Sequence, residues 1–261
     1  MSFKVAIYSY KRPDTIEKDT IDTILSKQIK PSQIYIFVAN ETQKILYEKY
    51  VSKDKYNKIV VGRKGKNYQI NFVREYFKQG EKILNLDDDI IKIAYKYNNL
   101  ILDLENLYSY SELMFKVMKK YKTGLAGPTL RRGLIGLSNK MILDFHQING
   151  GLYWSINDKN KKLRLYESKG CEDLELSLKS WQLYGWTLMT HEITYWDNSR
   201  NALRKERKSL FDRHAMKQTQ FKFLSKYPHL FKIKEVKNLD FVYSHVSQPN
   251  RKVIKLNERR L

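Results

Sequence analysis

A single cysteine, Cys171, leaves no material for a disulfide framework or a cysteine-based zinc cluster. No apolar run approaches the ~18 residues that a membrane-crossing helix needs, and the amino terminus lacks the apolar core of a secretory signal. These absences predict a soluble, cytoplasmic protein with no stable membrane association. Also missing are a Walker A loop, a G-x-G-x-x-G fingerprint, a G-x-S-x-G elbow and an H-E-x-x-H helix, which removes support for kinase, dehydrogenase, hydrolase and zinc-protease readings. Neither an internal repeat nor a low-complexity linker divides the chain. Acid is scarce: 28 Asp and Glu against 49 Lys and Arg give a formal charge of +21. Such an excess points to a polyanionic partner, either nucleic acid or an anionic membrane surface. An A·T-rich coding sequence would also enrich Lys, Asn, Ile and Tyr without any functional demand.

The stretch Glu81–Ile91, EKILNLDDDII, gathers what acid there is. Ile83–Leu86 reads as a buried strand delivering Asp87, Asp88 and Asp89 into a crevice at its carboxyl end. Adjacent carboxylates repel one another, so three in a row require a cation or solvent. In an extended chain Asp87 and Asp89 point to one side and Asp88 to the other. That suits two oxygen ligands on one Mg²⁺ or Mn²⁺. An acidic turn closing a core strand fits the same three residues.

The residues before this stretch alternate between strand and helix. Phe3–Tyr10 reads as a strand ended by the turn Lys11-Arg12-Pro13-Asp14, with a helix from there through Ser26. Gln33–Ala39 is a second strand, after which Asn40-Glu41-Thr42 caps a helix reaching Tyr50. Lys58–Gly62 is a third strand, followed by a basic loop to Lys66 and a helix Asn67–Lys78 carrying Gln69, Asn71 and Arg74. Such alternation predicts a parallel α/β sheet, whose ligand sits outside the carboxyl ends of the strands. Four polar clusters converge there: Tyr10–Arg12, Asn40-Glu41, Arg63–Lys66 and Asp87–Asp89. The convergence favours a site over a turn. Asn71 and Arg74, one helical turn apart, are candidates for reaching a diphosphate.

The remainder is less regular. It reads as a helix Glu105–Tyr121, a strand Gly124–Leu130, a hairpin of Gln147–Ile156 with Lys162–Tyr166, a helix Leu174–Tyr184 and a last core strand Trp186–Tyr195. From Arg200 to Leu261, 17 Lys and Arg against 5 acidic residues give +12, more than half the total charge. Arg204, Lys205 and Arg207 in that region are candidates for contacts along a phosphate backbone.

Several constellations admit both a chemical and a structural role. Glu172-Asp173 is either a favourable acidic first turn of a helix or a general base, with Glu175 one turn on. Such a base would deprotonate an acceptor hydroxyl as it attacks an activated sugar. His191 is either a satisfied core histidine or a nitrogen ligand to the cation, and His245 competes for that role. Gly150-Gly151 permits close backbone approach and Trp154 offers a ring for stacking, while a plain hairpin would also explain the glycines. Arg131-Arg132 suits either a phosphate or a solvated loop. Cys171 has no neighbouring histidine and reads as inert.

The order of these features resembles a glycosyltransferase of the GT-A fold over residues 3–198. In that fold the fourth strand of a nucleotide-binding half ends in Asp-x-Asp, here Asp87-Asp88-Asp89. A glycine-rich loop (Gly150-Gly151), a Glu-Asp at a helix start (Glu172-Asp173) and a histidine after the following strand (His191) come next. More narrowly, YSYKRPDTI, GKNYQINFVREYF and ILNLDDDI resemble the TET-associated glycosyltransferases of bacteriophages, relatives of the glucosyltransferase that makes base J. The resemblance implies an α/β, Rossmann-like mixed and mainly parallel sheet flanked by helices, with a basic C-terminal extension. Residues 1–199 would be the catalytic domain, with a donor half (1–95) and an acceptor half (96–199). Residues 200–261 would pack on it and contact DNA.

It further implies that Asp87 and Asp89, joined by His191, hold Mn²⁺ or Mg²⁺ on the diphosphate of a donor, a UDP-sugar. Asp88 would face the sugar or ribose, Tyr8, Tyr10, Arg12 and Glu41 would surround the nucleotide, and Asp173 or Glu172 would be the base. Gly151, Trp154, Arg131 and Arg132 would lie on the acceptor side. The implied acceptor is the hydroxymethyl group of 5-hydroxymethylcytosine or 5-hydroxymethyluracil in double-stranded DNA. Two rival readings stay open: a transferase of capsule or lipopolysaccharide whose basic tail docks on an anionic membrane, and a non-catalytic DNA-binding module on a degenerate transferase fold.

Overall fold

Four strands, β1 (Lys4–Tyr8), β2 (Ile34–Val38), β3 (Lys58–Val61) and β4 (Lys82–Asp87), lie parallel in the order β3-β2-β1-β4. They belong to a computed structural model that describes residues 3–130, 136–166, 171–198, 221, 224–236, 240–246 and 251–255. Alternate side chains of a strand turn to opposite faces, and here both faces are apolar. Val5 and Ile7 of β1 join one core with Ile34, Ile36, Leu84 and Leu86, while Ala6 and Tyr8 join another with Phe37, Val60 and Ile83. Each fully buried Ile or Leu of this kind contributes roughly 1.5–3 kcal/mol.

The crossovers between these strands are helical. The first opens as a π-turn, Glu17–Ile21, and continues as α1 (Asp22–Leu25); α2 (Glu41–Tyr50) and α3 (Lys66–Tyr76) follow. Asn40 caps α2, its Oδ1 accepting from Gln43 N at 2.9 Å. Gly65 precedes α3 at φ +99°, a backbone region that glycine enters without strain. From α3, Ile70 and Val73 bury against the second core.

The second half adds strands that the sequence reading passed over. β5 (Ile90–Tyr97) and β6 (Leu100–Asp103) form a hairpin through Asn98-Asn99, with Asn98 left-handed at φ +52°. α4 (Leu107–Tyr121) then lays Leu107, Met114, Phe115 and Met118 on the first core. Next come β7 (Leu125–Pro128), β8 (Lys140–Asp144), β9 (Leu152–Ile156), α5 (Glu172–Tyr184), β10 (Thr187–Thr190) and β11 (Ile193–Asp197). They are followed by β12 (Phe231–Val236), β13 (Asp240–His245) and β14 (Lys252–Lys255). The full sheet runs β14-β8-β10-β7-β9-β4-β1-β2-β3, with only β8 and β9 reversed. It is the mixed, mainly parallel sheet expected.

Two expectations need correction. Residues 161–163 form a 3₁₀ turn and not the second strand of a hairpin; β9 pairs instead with β4 and β7. The expected single strand Trp186–Tyr195 is two strands in different sheets: β10 lies in the large sheet, and β11 pairs with β5 in a three-stranded one. The chain bends at His191-Glu192 between the two sheets, and Thr190, the last residue of β10, places its hydroxyl 2.6 Å from Tyr110 OH. Within the basic C-terminal region, Leu224, Leu230 and Phe231 pack with Phe145, Leu174 and Leu178.

Candidate functional site

A cleft of about 590 Å³ opens at the carboxyl ends of the parallel strands, a size that suits a small-molecule ligand. Tyr8–Tyr10 and Arg12 line it from β1, Ala39 from β2, Arg63–Lys66 from β3 and Asp87–Asp89 from β4. Asn149–Gly151, Glu172, Asp173, Tyr195 and Asp197 complete the wall from the second half.

The three aspartates bend around the end of a strand, so the extended arrangement expected for them does not form. Asp87 is the last residue of β4, and Asp88-Asp89 is the tight turn into β5. Thr20, from the π-turn, pins this turn: its hydroxyl donates to Asp87 O and accepts from Ile90 N, each at 2.9 Å. Every carboxylate then meets a cation. Lys66 Nζ donates to Asp87 Oδ1. Arg12 Nη1 donates to Asp88 Oδ1 at 3.0 Å and to Asp89 Oδ2 at 2.8 Å. The preceding Lys11 is left-handed at φ +58°, uncommon for a residue with a side chain, and it turns Arg12 back onto the aspartates.

Asp88 Oδ2 also accepts from Ser9 Oγ at 2.5 Å. With that proton engaged, the 2.5 Å contact between Tyr47 OH and Ser9 Oγ has the tyrosine as donor, while Tyr47 accepts from Arg12 N at 3.0 Å. Asp88, expected to face sugar or ribose, thus lines the cleft with both oxygens engaged by protein. Burial raises the Asp87 carboxyl above its usual pKa and pushes Asp88 up to about 6, against the pull of Lys66 and Arg12. The cluster can still take up positive charge, and its hard oxygens fit a hard divalent cation. Asp197 adds a further carboxylate to this wall: it is in register with Ile90, and its neighbour Asn198 donates N–H to Asp89 O at 2.8 Å. Among the described residues no three His, Cys, Asp or Glu side chains already surround one point as a metal cage.

Facing this cluster, α5 begins with Glu172 and Asp173. Gly150 donates its backbone N–H to Asp173, and a Cβ on Gly150 would overlap that carboxylate. A Cβ on Gly151 would overlap the ring of Tyr195. The glycine pair therefore admits protein groups, a carboxylate and a phenol. Asn149 Oδ1 fixes the loop, accepting from Gly151 N at 2.9 Å and from Tyr195 OH, and Gly151 O accepts from Asp87 N at 2.9 Å. Burial first, and the charge of Glu172 second, push Asp173 up to about 7; the Gly150 N–H and Lys66 oppose this. Glu172 is raised too, chiefly by burial. Among the described residues no cation pairs directly with either. A carboxylate that titrates near neutrality beside a cleft is equipped to accept a proton.

Other candidates lie elsewhere. Asn71 exchanges two hydrogen bonds with the backbone of Leu165, at 2.8 and 2.9 Å, and Arg74 Nη2 donates to Asp158 O and Asn160 O. Both hold the 158–165 segment, and neither lines the cleft. Glu41 is exposed in the first turn of α2, near Lys44. Glu175 is buried and accepts from Tyr166 N at 3.0 Å and Lys179 Nζ at 2.9 Å. Trp154 is wholly buried, with Nε1 donating to Ser111 Oγ at 3.0 Å, so its ring cannot stack on a ligand. His191 does not reach the cleft wall. It occupies the turn between β10 and β11, with Nδ1 3.5 Å from Gly136 O, while Asp197 is a carboxylate of the cleft wall. His245 ends β13 of the two-stranded sheet. Burial pushes the Cys171 thiol up to about 11. Arg131, Arg132, Arg204, Lys205 and Arg207 lie outside the described residues.

Ser9, Asn149, Tyr195 and Asp197 were given no role from sequence, and Lys66 was read only as part of the basic cluster Arg63–Lys66. Lys66 carried a signal, since a lysine directly after a glycine at a helix start has its first turn aimed at the strand ends. For Asp197 and Asn149 no local pattern marks the position.

No family model matches the chain, and no curated protein does. The fold does match solved structures. S. aureus TarS 1–349 superposes with a TM-score of 0.52 at 13% identity, covering 87% of this chain and 72% of that one. Mannosyltransferase PcManGT from Pyrobaculum calidifontis, in complex with GDP-Man and Mn²⁺, gives 0.52 at 11% identity, covering 87% and 64%. Glucosyl-3-phosphoglycerate synthase from Mycobacterium tuberculosis, with Mn²⁺, UDP-Glc and phosphoglyceric acid, gives 0.51 at 12% identity, covering 95% and 89%. The architecture is that of the GT-A fold.

Proposed function

We propose that this protein is a metal-dependent glycosyltransferase that moves a sugar from a nucleotide-sugar, a UDP-sugar, to the hydroxymethyl group of a 5-hydroxymethylpyrimidine in DNA. One observation carries the transferase reading: a single cleft sets a three-aspartate turn opposite a buried carboxylate with a pKa near 7. The solved mannosyltransferase holds GDP-Man with Mn²⁺ and the synthase holds UDP-Glc with Mn²⁺; the aspartate turn suits such a cation, and Arg63, Lys64 and Lys66 suit such a diphosphate.

A divalent cation bound there would neutralise charge on the departing nucleoside diphosphate. Asp87, Asp89 and Asp197 are the residues to hold it. Arg12, Ser9 and Thr20 keep the turn in shape, and Arg63, Lys64 and Lys66 supply positive charge to the donor's phosphates. Asp173 accepts the acceptor's proton as its hydroxyl oxygen attacks the sugar. The carboxylate is the active form, so the rate rises with pH through about 7. The acceptor assignment rests on the charge of +21 and on the likeness of YSYKRPDTI, GKNYQINFVREYF and ILNLDDDI to the TET-associated phage enzymes.

The test is incubation of hydroxymethylated duplex DNA with a panel of nucleotide sugars and Mn²⁺, followed by mass spectrometry of the nucleosides. A pentose or hexose on the modified base is expected. Unmodified DNA beside a glycosylated polysaccharide or lipid acceptor would overturn the DNA assignment, and no transfer to any acceptor would overturn the enzyme.

A further inference from the structure

The aspartate turn already carries two of the protein's own cations, and the two differ in kind. Arg12 grips Asp88 and Asp89 together and is tied by its own backbone to Tyr47, so it is part of the scaffold. Lys66 touches Asp87 alone, through a flexible stem and a single rotatable ammonium. In the same position its Nζ stands 4.4 Å from the centroid of the Tyr8 ring, which holds a cation without adding a carboxylate. A divalent ion on Asp87 would share the oxygen that Lys66 now occupies and would meet the ammonium's charge at contact distance.

We infer that Lys66 is an internal counter-cation that blocks Asp87 until a nucleoside diphosphate draws the lysine away, making cation and donor binding mutually dependent. The inference rests on the donor reading above. Lys66 is the first residue of α3, whose amino-terminal N–H groups, together with Arg63 and Lys64, line the same cleft and attract phosphate. As phosphate arrives, the ammonium leaves Asp87 for the diphosphate. Asp87 Oδ1 is then open to the divalent ion. Before that, the ion has only sites that the lysine's charge makes unfavourable. Lys66 is on this account a positioning residue that orders the assembly of the site.

Mn²⁺ binding, followed by electron paramagnetic resonance of the free ion with and without UDP, tests this on the full chain. The wild type should bind Mn²⁺ about 10-fold or more tightly with UDP present, and by linkage bind UDP more tightly with Mn²⁺ by the same factor. Lys66→Met should bind Mn²⁺ alone more tightly than the wild type and lower the coupling factor, leaving only the part due to direct attraction between the ion and the diphosphate. Lys66→Arg should restore the coupling. If thermal melting shows the methionine variant unfolded, Lys66→Gln, which still donates to Asp87, takes its place with the same expectation. Independent binding of Mn²⁺ and UDP to the wild type, or unchanged coupling in both variants, overturns the role of Lys66 and leaves the donor reading standing. If neither ligand binds in any combination, the donor reading fails, and this inference with it.

Discussion

Two acidic groups face one another across the cleft, and they are handled in opposite ways. Asp87–Asp89 sits at the end of a parallel strand with Lys66 and Arg12 on its carboxylates. Glu172-Asp173 opens a helix with a backbone N–H and no directly paired cation among the described residues. Both are buried, yet Asp88 comes to about 6 and Asp173 to about 7. Burial raises the carboxyls on both sides, and on the first a directly paired cation pulls back toward the charged form. Without one, burial leaves a group that exchanges its proton near neutrality. A single fold thus provides a charged side and a proton-accepting side.

The largest effect should come from disabling the charged side. Asp87→Asn together with Asp89→Asn keeps the shape and is expected to lower turnover by roughly 10³-fold or more, with DNA binding in a gel-shift assay nearly unchanged. Parallel loss of DNA binding and of the melting transition would mean that the turn holds the fold and not the donor. On the opposite side, Asp173→Asn should cut kcat by roughly 10²–10⁴-fold while donor affinity stays constant. The rise of rate with pH through about 7 should vanish in that variant. Full activity would move the base to Glu172.

A smaller effect tests the loop between the two sides. Gly150→Ala must push Asp173 aside, and a displacement of that kind costs on the order of 10²-fold in kcat/KM. Unchanged kinetics would show that the carboxylate's position does not matter.

The smallest effect concerns Glu192, another buried carboxylate, to which the neutral Tyr110 OH donates at 3.0 Å; burial pushes it up to about 7. A raised carboxyl pKa means that protonation stabilises the fold. That contribution is complete below the ordinary glutamate value and is lost as pH rises through about 7. Glu192→Gln should therefore raise Tm at pH 8 and leave it unchanged at pH 4, the gain being roughly 2–4 °C per kcal/mol. An equal gain at both values would remove ionisation as its cause.

Much of the first half was legible because its parallel strands are apolar on both faces and end in polar clusters. β1 to β4 were found within two residues of their ends, and the cleft lies where their carboxyl ends meet. The second half was harder. IIKIAYKY before Asn98-Asn99 does carry a strand alternation and a hairpin turn, so β5 and β6 were readable in principle. The break at His191 was not, because Thr187–Tyr195 carries no glycine, proline or turn pair, and only the pairing of its two halves in different sheets marks it. Asn71 and Arg74 shared a helical face, but spacing alone does not say which face meets the cleft; Lys66 and Gln69 do. Asp197 reaches the site by pairing with β5, a contact more than a hundred residues long in sequence that no local pattern encodes.

The contrast between the two acidic sides is tested most directly by carbon-13 carboxyl NMR on the protein without ligands, with Asp173→Asn assigning the signal. The account predicts a side-chain carboxyl that titrates near 7 in the wild type and is absent in the variant. An Asp173 carboxyl titrating near the ordinary aspartate value of about 3.9 would contradict it.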